Sequence, residues 1–527
     1  MRREYRPVAF AALAASLPSW LLPVSNPDLF WHLSAARRIW RSAQVPSADW
    51  LSWTMAGRPW VDFEWLSQLA FGAAHAAGGL AGLWLLKVAL VCAAAWRLHA
   101  WMGLYRIAPE LKAAGISVWA TAMLPRSDAR PELFSILLFL ELFRRLERWR
   151  LEGRAPSPAL LAAAFALWAN LHAGFAYGLA LVAWYACGGL PWRAVAGAAA
   201  GTLLQPAGWS VYRVLLSHGA DAGELSRWII EWGPPALPNP WRWAELALVP
   251  AAALAWALAV RQGRRPPWLP AAALGALAVA GLRHARLAAY FVTAAAPLGL
   301  AWVQSSTPAR ARALALGLIA ASGAWSLRCA WETGVFRRHF NDRLVPARAA
   351  AFLAREASVL GERALYNPWG WGGYLGWTLP EPYRVFQDGR YLFHPLLLEA
   401  GRATATAAAW QEFLLGKGVD LALMENLPLL LPGTRVYPDG RERSIPRPYY
   451  AFYMPRERWA LVHFDEKALL FVRRDAVPAA WLAAREFRYV RPYDEEALQD
   501  ALRRGEVPAA ELRRERERLA AAGPLPR

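Results

Sequence analysis

Cysteine is close to absent, with three among 527 residues. Cys92, Cys187 and Cys329 stand far apart in or beside apolar runs, so the chain is neither a disulfide scaffold nor a thiolate metal protein, and the three read as buried thiols. Acidic residues are scarce as well, 40 against 59 lysines and arginines, a formal charge of +19. That surplus does not mark a nucleic-acid partner, because the arginines sit in short clusters between apolar runs and form no basic stripe or recognition motif. There is no glycine-rich loop of the phosphate-cradling or dinucleotide type, and no internal repeat. No small-x-small cleavage site follows the apolar segment 7–24, so the basic start Arg2-Arg3-Glu4-Tyr5-Arg6 opens an uncleaved first helix with a cytoplasmic N-terminus rather than a signal peptide.

What is plentiful is apolar: 56% hydrophobic residues and 31 tryptophans, with a mean hydropathy of +0.17. Alanine, leucine and tryptophan dominate up to about Trp331, and the remainder mixes strand-like runs with charged helices, so a boundary falls near 331–345. A helix needs about 20 residues to cross the hydrocarbon, fewer where it is broken or buried. About 11 candidate spans meet that reading: 7–24, 81–103, 112–125, 131–148, 158–170, 172–190, 193–206, 242–260, 267–282, 285–303 and 310–330.

Charge sets the orientation. With residues 25–80 outside the cytoplasm, the inward ends carry Arg97, Arg106 and Lys112, the arginines of 144–154, Arg193, those of 261–265, and Arg310 and Arg312, as the positive-inside rule asks. The scheme requires that 62–79 form an interfacial or re-entrant helix, and it sends the part from 332 onward outside.

The unusual polar residues then gather on the outer side. The first outer loop holds Asp28 and His32 at helical spacing, which suits a base or a metal pair, followed by Asp49, Asp62 and Glu64. Later outer turns supply Arg126, Asp128 and Arg130, then Asn170 and His172, then Glu231, and finally Arg283, His284 and Arg286. Ionisable groups at membrane depth are costly and point to function. Each has a plainer reading: the arginines as snorkelling to head groups, Asp49 as a turn or cap, and Trp31, Trp50, Trp53, Trp60 and Trp65 as an interfacial belt.

A long first outer loop with an acid soon after helix one, interfacial helices in that loop and a C-terminal outer domain resemble the GT-C class of multispanning glycosyltransferases. Within that class, Asp28-x-x-Trp31-His32, Asp49-x-x-Ser52-x-Thr54, Arg130-Pro131, Asn170-x-His172 and Glu231-Trp232 are similar to a bacterial group. That group shares two further segments, Asn367-Pro368-Trp369-Gly370-Trp371-Gly372-Gly373-Tyr374-Leu375 and Val385-Phe386-Gln387-Asp388-Gly389-Arg390. The tight acidic pair that many GT-C enzymes carry after helix one is missing here. The resemblance implies a GT-C-like helical membrane domain over 1–331, including the outer loop 25–80, and a small extracytoplasmic α/β domain over 332–527. It implies a bacterial inner-membrane location and a polyprenyl-phosphate-linked sugar as donor, with a glycan, lipid or protein acceptor beside membrane lipid. Asp28, His32 and Glu64 are then the catalytic candidates, with Asp28 as base or as ligand, with His32, of a divalent cation. Asp49, Asp62, Arg126, Asp128, Arg130, Asn170, His172, Glu231, Arg283, His284 and Arg286 are the substrate-binding candidates, the arginines meeting the lipid phosphate.

In the outer domain, helices are expected at 347–355 and 406–415 and strands at 363–367, 383–387, 420–424 and 468–472. Trp369, Trp371, Tyr374 and Trp377 suit sugar stacking or a membrane surface, and Asp388-Gly389-Arg390 reads first as a turn. Two other classes stay open: a transporter or flippase of a lipid-linked glycan, and a non-catalytic envelope assembly protein.

Overall fold

The computed structural model describes residues 6–236, 239–303, 308–334 and 338–521, so Arg2 and Arg3 of the basic start lie outside the described residues. The chain divides into two compact units. The first takes Met1–Asn26, Ala35–Ser47 and Val61–Asn341, and the second takes Pro27–Ser34, Ala48–Trp60 and Asp342–Arg527. Parts of the first outer loop thus belong by contact to the C-terminal unit.

The first unit is helical: α1 (Arg6–Trp20), α2 (Leu29–Ser42, whose first turns belong to the second unit), α3 (Trp65–Leu104), α4 (Pro109–Ala122), α5 (Glu132–Glu152), α6 (Pro158–Leu171), α7 (Phe175–Cys187), α8 (Trp192–Thr202), α9 (Ser210–Leu225), α10 (Trp243–Arg261), α11 (Trp268–Arg283), α12 (Ala288–Val303) and α13 (Pro308–Thr333). Each of the apolar segments singled out above coincides with one of these helices. Among the described residues, four helical stretches are long and apolar enough to cross a membrane: Trp65–Leu104, Trp243–Arg261, Ala285–Val303 and Arg312–Thr333.

The expected helix at 62–79 is continuous in sequence with the next one, and α3 breaks at Gly78 and Gly79. Gly79 has φ +57° and ψ −141°, a conformation that only glycine adopts without strain. A β-carbon at Gly82 would strike the carbonyl of Ala74, so glycine is also what lets the two halves approach at the bend. Small residues do the same between α6 and α8: Gly197 and Gly201, one turn apart, lie against the backbone of Pro158 and Ala162.

Several of the arginines that the charge reading places inward are paired. Arg97 and Arg144 donate to Glu141, Arg144 at 2.8 and 2.9 Å. Glu147, fully buried, accepts from Arg150 at 2.7 Å, from the Tyr185 hydroxyl at 2.5 Å and from that of Tyr105. Only Cys329 is a buried thiol, whereas Cys92 and Cys187 are exposed, because an apolar helix in a bundle presents one face to its surroundings.

The second unit is built on a four-stranded sheet. Its strands are β1 (Leu365–Tyr366), β2 (Leu421–Glu425), β3 (Leu430–Leu431), β4 (Thr434–Val436), β5 (Glu442–Ser444), β6 (Arg447–Pro448), β7 (Trp459–Phe464) and β8 (Ala468–Arg473). The sheet order is β1-β2-β8-β7, β1 parallel to β2 and the other pairs antiparallel, while β3-β6 and β4-β5 are small ribbons. Both faces are covered, which explains the unbroken apolar runs. Ala422, Leu461, Leu469 and Phe471 face one core with Phe386, Trp410 and Phe413, and Leu421, Leu423, Leu470 and Val472 face the other with Leu353 and Leu375. The expected strand at 383–387 is instead a single bridge, Ser52 to Val385, and β7 was hidden because a fully buried strand lacks the period of two.

Candidate active site

In the first unit, the chain between α4 and α5 brings two arginines onto one carboxylate. Arg126 and Arg130 each donate through Nη1 to Glu231, at 2.8 and 2.7 Å, and Arg126 also lies 3.9 Å from Glu132. Glu231 is carried by a short helical turn, Ile230–Trp232, that is anchored from the other side: His284 Nδ1 donates to the Trp232 carbonyl at 2.7 Å and the Ala285 amide to that of Gly233 at 2.8 Å. Arg286 lies over the Trp232 ring, 4.6 Å from its centre. Burial raises the carboxyl of Glu231, but Arg130, Arg126 and Arg286 outweigh it and hold the group well below the ordinary carboxylate range. Glu231 is therefore an anion that spaces guanidinium groups and is unsuited to taking a proton.

Arg126 is only 3% exposed, and its Nε and Nη2 have no hydrogen-bond partner. Buried N–H groups are nearly always paired, so this edge of the guanidinium is ready for an acceptor.

Beside these lies a carboxylate–imidazole pair. His172, in the turn after α6, accepts from the Gly174 amide at Nδ1, 3.0 Å, and the Ser135 hydroxyl lies 2.8 Å from the same nitrogen. Because a backbone N–H can only donate, the ring proton is on Nε2, which is 3.8 Å from Glu64 Oε1. Burial, helped by Arg286 and opposed by Glu231, pushes His172 down to about 3, so the ring is neutral at working pH. Glu64 stands at the start of α3, where Asp62 receives the Gln68 amide at 2.7 Å and the Glu64 amide at 3.2 Å.

Two other candidates of this unit have internal duties. Asp128 accepts from the Ser25 amide at 2.9 and 3.2 Å, and Asn170 accepts from Trp65 at 2.6 Å while donating to the Ala166 and Leu204 carbonyls. Arg283 is exposed. Sequence reading missed Lys87, 1% exposed on α3, which donates to the Leu22 carbonyl and lies within electrostatic reach of Asp128. A single lysine inside an apolar run was the available signal.

The remaining candidates belong to the second unit. Asp49 and Asp388 are both fully buried against Arg390, which reaches Asp49 at 2.5 Å and Asp388 at 2.7 and 2.9 Å. Asp49 also accepts from the Ser52 hydroxyl at 2.6 Å. Arg390 is flanked by the rings of Trp50 and Trp60, at 5.1 and 4.9 Å. The Asp388-Gly389-Arg390 turn thus forms a buried ion triad with Asp49, and these two tryptophans serve it instead of a lipid belt. A β-carbon at Gly389 would collide with the Asp28 carboxylate, and one at Gly373 would crowd Pro27 and Trp31, so both shared glycine motifs make room for the Asp28 segment. His32 is 3% exposed, its ring centre 3.6 Å from that of Trp31.

Among the described residues, no group of three or more His, Cys, Asp or Glu side chains is arranged to hold a metal ion.

The fold is similar to that of GT-C glycosyltransferases of known structure. Among solved structures, the Archaeoglobus fulgidus oligosaccharyltransferase in the apo form superposes with a TM-score of 0.56 at 10% identity, over 95% of this chain and 83% of that one. The same enzyme tethered to an acceptor peptide containing the NVT sequon gives 0.51 at 11%, over 85% and 74%. The arabinofuranosyltransferase AftD from Mycobacteria gives 0.50 at 17%, over 89% of this chain and 41% of that one. No family model and no curated protein matches the sequence.

Proposed function

We propose that the protein is a membrane glycosyltransferase that moves a sugar from a polyprenyl-phosphate donor to an acceptor on the outer face of a bacterial inner membrane. The observation that carries this reading is the half-used guanidinium of Arg126: buried, charged, shared with Glu231 on one edge and unpartnered on the other. The fold supports it, since the solved relatives are glycosyltransferases and one of them was captured with an acceptor peptide. Here the acceptor is a hydroxyl or amine of a glycan, lipid or protein.

In the reaction, the acceptor heteroatom attacks the anomeric carbon, the bond from that carbon to the lipid-phosphate oxygen breaks, and a carboxylate takes the acceptor proton. Arg126, Arg130 and Arg286 stabilise the charge that grows on the departing phosphate. Glu64 is the base candidate of the first unit, with the Nε2 edge of neutral His172 facing it at 3.8 Å. Asp28 is the base candidate of the second unit.

The test is transfer of radiolabelled sugar from a panel of polyprenyl-phosphate donors by purified protein, comparing wild type with Glu64→Gln, Asp28→Asn and Arg126→Gln. The base is the carboxylate whose loss lowers turnover by about 100-fold or more with unchanged folding. Arg126→Gln is expected to lower turnover by a similar factor. Transfer that survives all three substitutions would sink the proposal.

A further inference from the structure

The second unit carries a cluster of cations that the proposed reaction does not use. Arg491 is 4% exposed; its Nε donates to the Phe487 carbonyl at 3.1 Å, and neither Nη1 nor Nη2 has a hydrogen-bond partner. Two more arginines converge on one nearby acid: Arg447, on β6, reaches Asp494 at 2.6 and 3.0 Å, and Arg456 reaches it at 3.3 Å. Their side chains are 29% and 43% exposed, whereas the terminal nitrogens of Arg491 are buried. The loop that holds Arg491 is fixed, because the Tyr450 hydroxyl donates to the Pro492 carbonyl at 2.6 Å, and Tyr493 follows with φ +59°. The second acid of the neighbourhood, Glu486, is already engaged by Arg474 and Arg488. Glu515, a third buried acid here, accepts from the Arg488, Tyr489 and Val490 amides. Burial, with Arg456 alongside, pushes Arg491 down only to about 10, which leaves it a cation at neutral pH.

A buried guanidinium whose two terminal nitrogens lack acceptors is rarely left so in a folded protein. The group that satisfies it is an oxyanion presenting two oxygens to the planar fork, and the flanking Arg447 and Arg456 suit the further oxygens of a tetrahedral anion better than a flat carboxylate. We propose that Arg491, Arg456 and Arg447 form a phosphate-binding site on the second unit, which takes a phosphate monoester or diester group. Asp494 holds Arg447 and Arg456 in place and competes with the incoming anion. The site lies within one unit and does not depend on the transferase reading.

The experiment is equilibrium dialysis of radiolabelled inorganic phosphate against the full-length protein in phosphatidylcholine nanodiscs. Wild type is expected to bind saturably and more weakly as salt rises. Arg491→Met is expected to raise Kd at least roughly tenfold, since a charged hydrogen bond contributes about that factor or more. Arg456→Gln raises it by a smaller factor, and Asp494→Asn lowers it, a gain that a purely structural cluster does not predict. Should Arg491→Met fail to fold, Arg456→Gln and Asp494→Asn decide the matter. Repetition in phosphatidylglycerol nanodiscs assigns the source: free phosphate displaced there marks a lipid head group, and free phosphate still bound marks a soluble one. Absence of saturable binding to wild type, or equal Kd in wild type and the arginine variants, overturns the proposal.

Discussion

At the residue scale, the buried ions divide into those that are satisfied and those that are poised. Arg390 is of the first kind, locked between Asp49 and Asp388 and stacked between two indoles. Removing the cation strands two buried carboxylates, so Arg390→Met is expected to destabilise the second unit by about 3–5 kcal/mol, read as a lowered melting temperature by circular dichroism. Asp49→Asn removes one of its acceptors and is expected to cost less. His172 gives a pH signature. Its folded pKa of about 3 lies below the unfolded value of about 6.5, so its contribution to stability is complete above pH 6.5 and is lost as pH falls towards 3. Thermal melts across that window should fall more steeply for wild type than for His172→Gln, and parallel curves would count against a buried neutral imidazole. The guanidinium and imidazole candidates were legible because charge between apolar runs is conspicuous. The Asp49–Arg390 pair was not, since 341 residues separate its members and nothing in local spacing couples them.

At the scale of elements, hydropathy located the helices but not their bends. The apolar run through 62–104 read as two helices, and the chain turns between them at Gly78 and Gly79 with Gly82 packed on Ala74. Gly82→Val forces a side chain into a carbonyl that cannot yield, and is expected to cost about 1–3 kcal/mol or more. Gly201→Leu is expected to do the same to the α6–α8 contact. Both are checked by thermal melting in detergent, with Gly275→Leu as the control, since the space around Gly275 is open. The strands of the second unit were legible where residues alternate or turn signals flank them. β7 was not, because both of its faces are buried.

At the scale of the whole molecule, the charge reading predicts an extracytoplasmic second unit. A fusion of alkaline phosphatase to the C-terminus is expected to be active in the periplasm, and an active cytoplasmic reporter at the same position would reverse the orientation. The sequence suggests a boundary near 331–345, but nothing in it announces that 27–34 and 48–60 group by contact with the C-terminal unit. That grouping has a consequence for biogenesis. Asp49 leaves the ribosome 341 residues before Arg390, which at about 5–20 residues per second is a wait of roughly 20–70 s. During that interval Trp50, Trp53 and Trp60 have no core to enter, and the loop must be held by a chaperone or by the bilayer surface. Slowed or truncated synthesis is therefore expected to yield chains whose helices have inserted but whose first loop is sticky and open to protease.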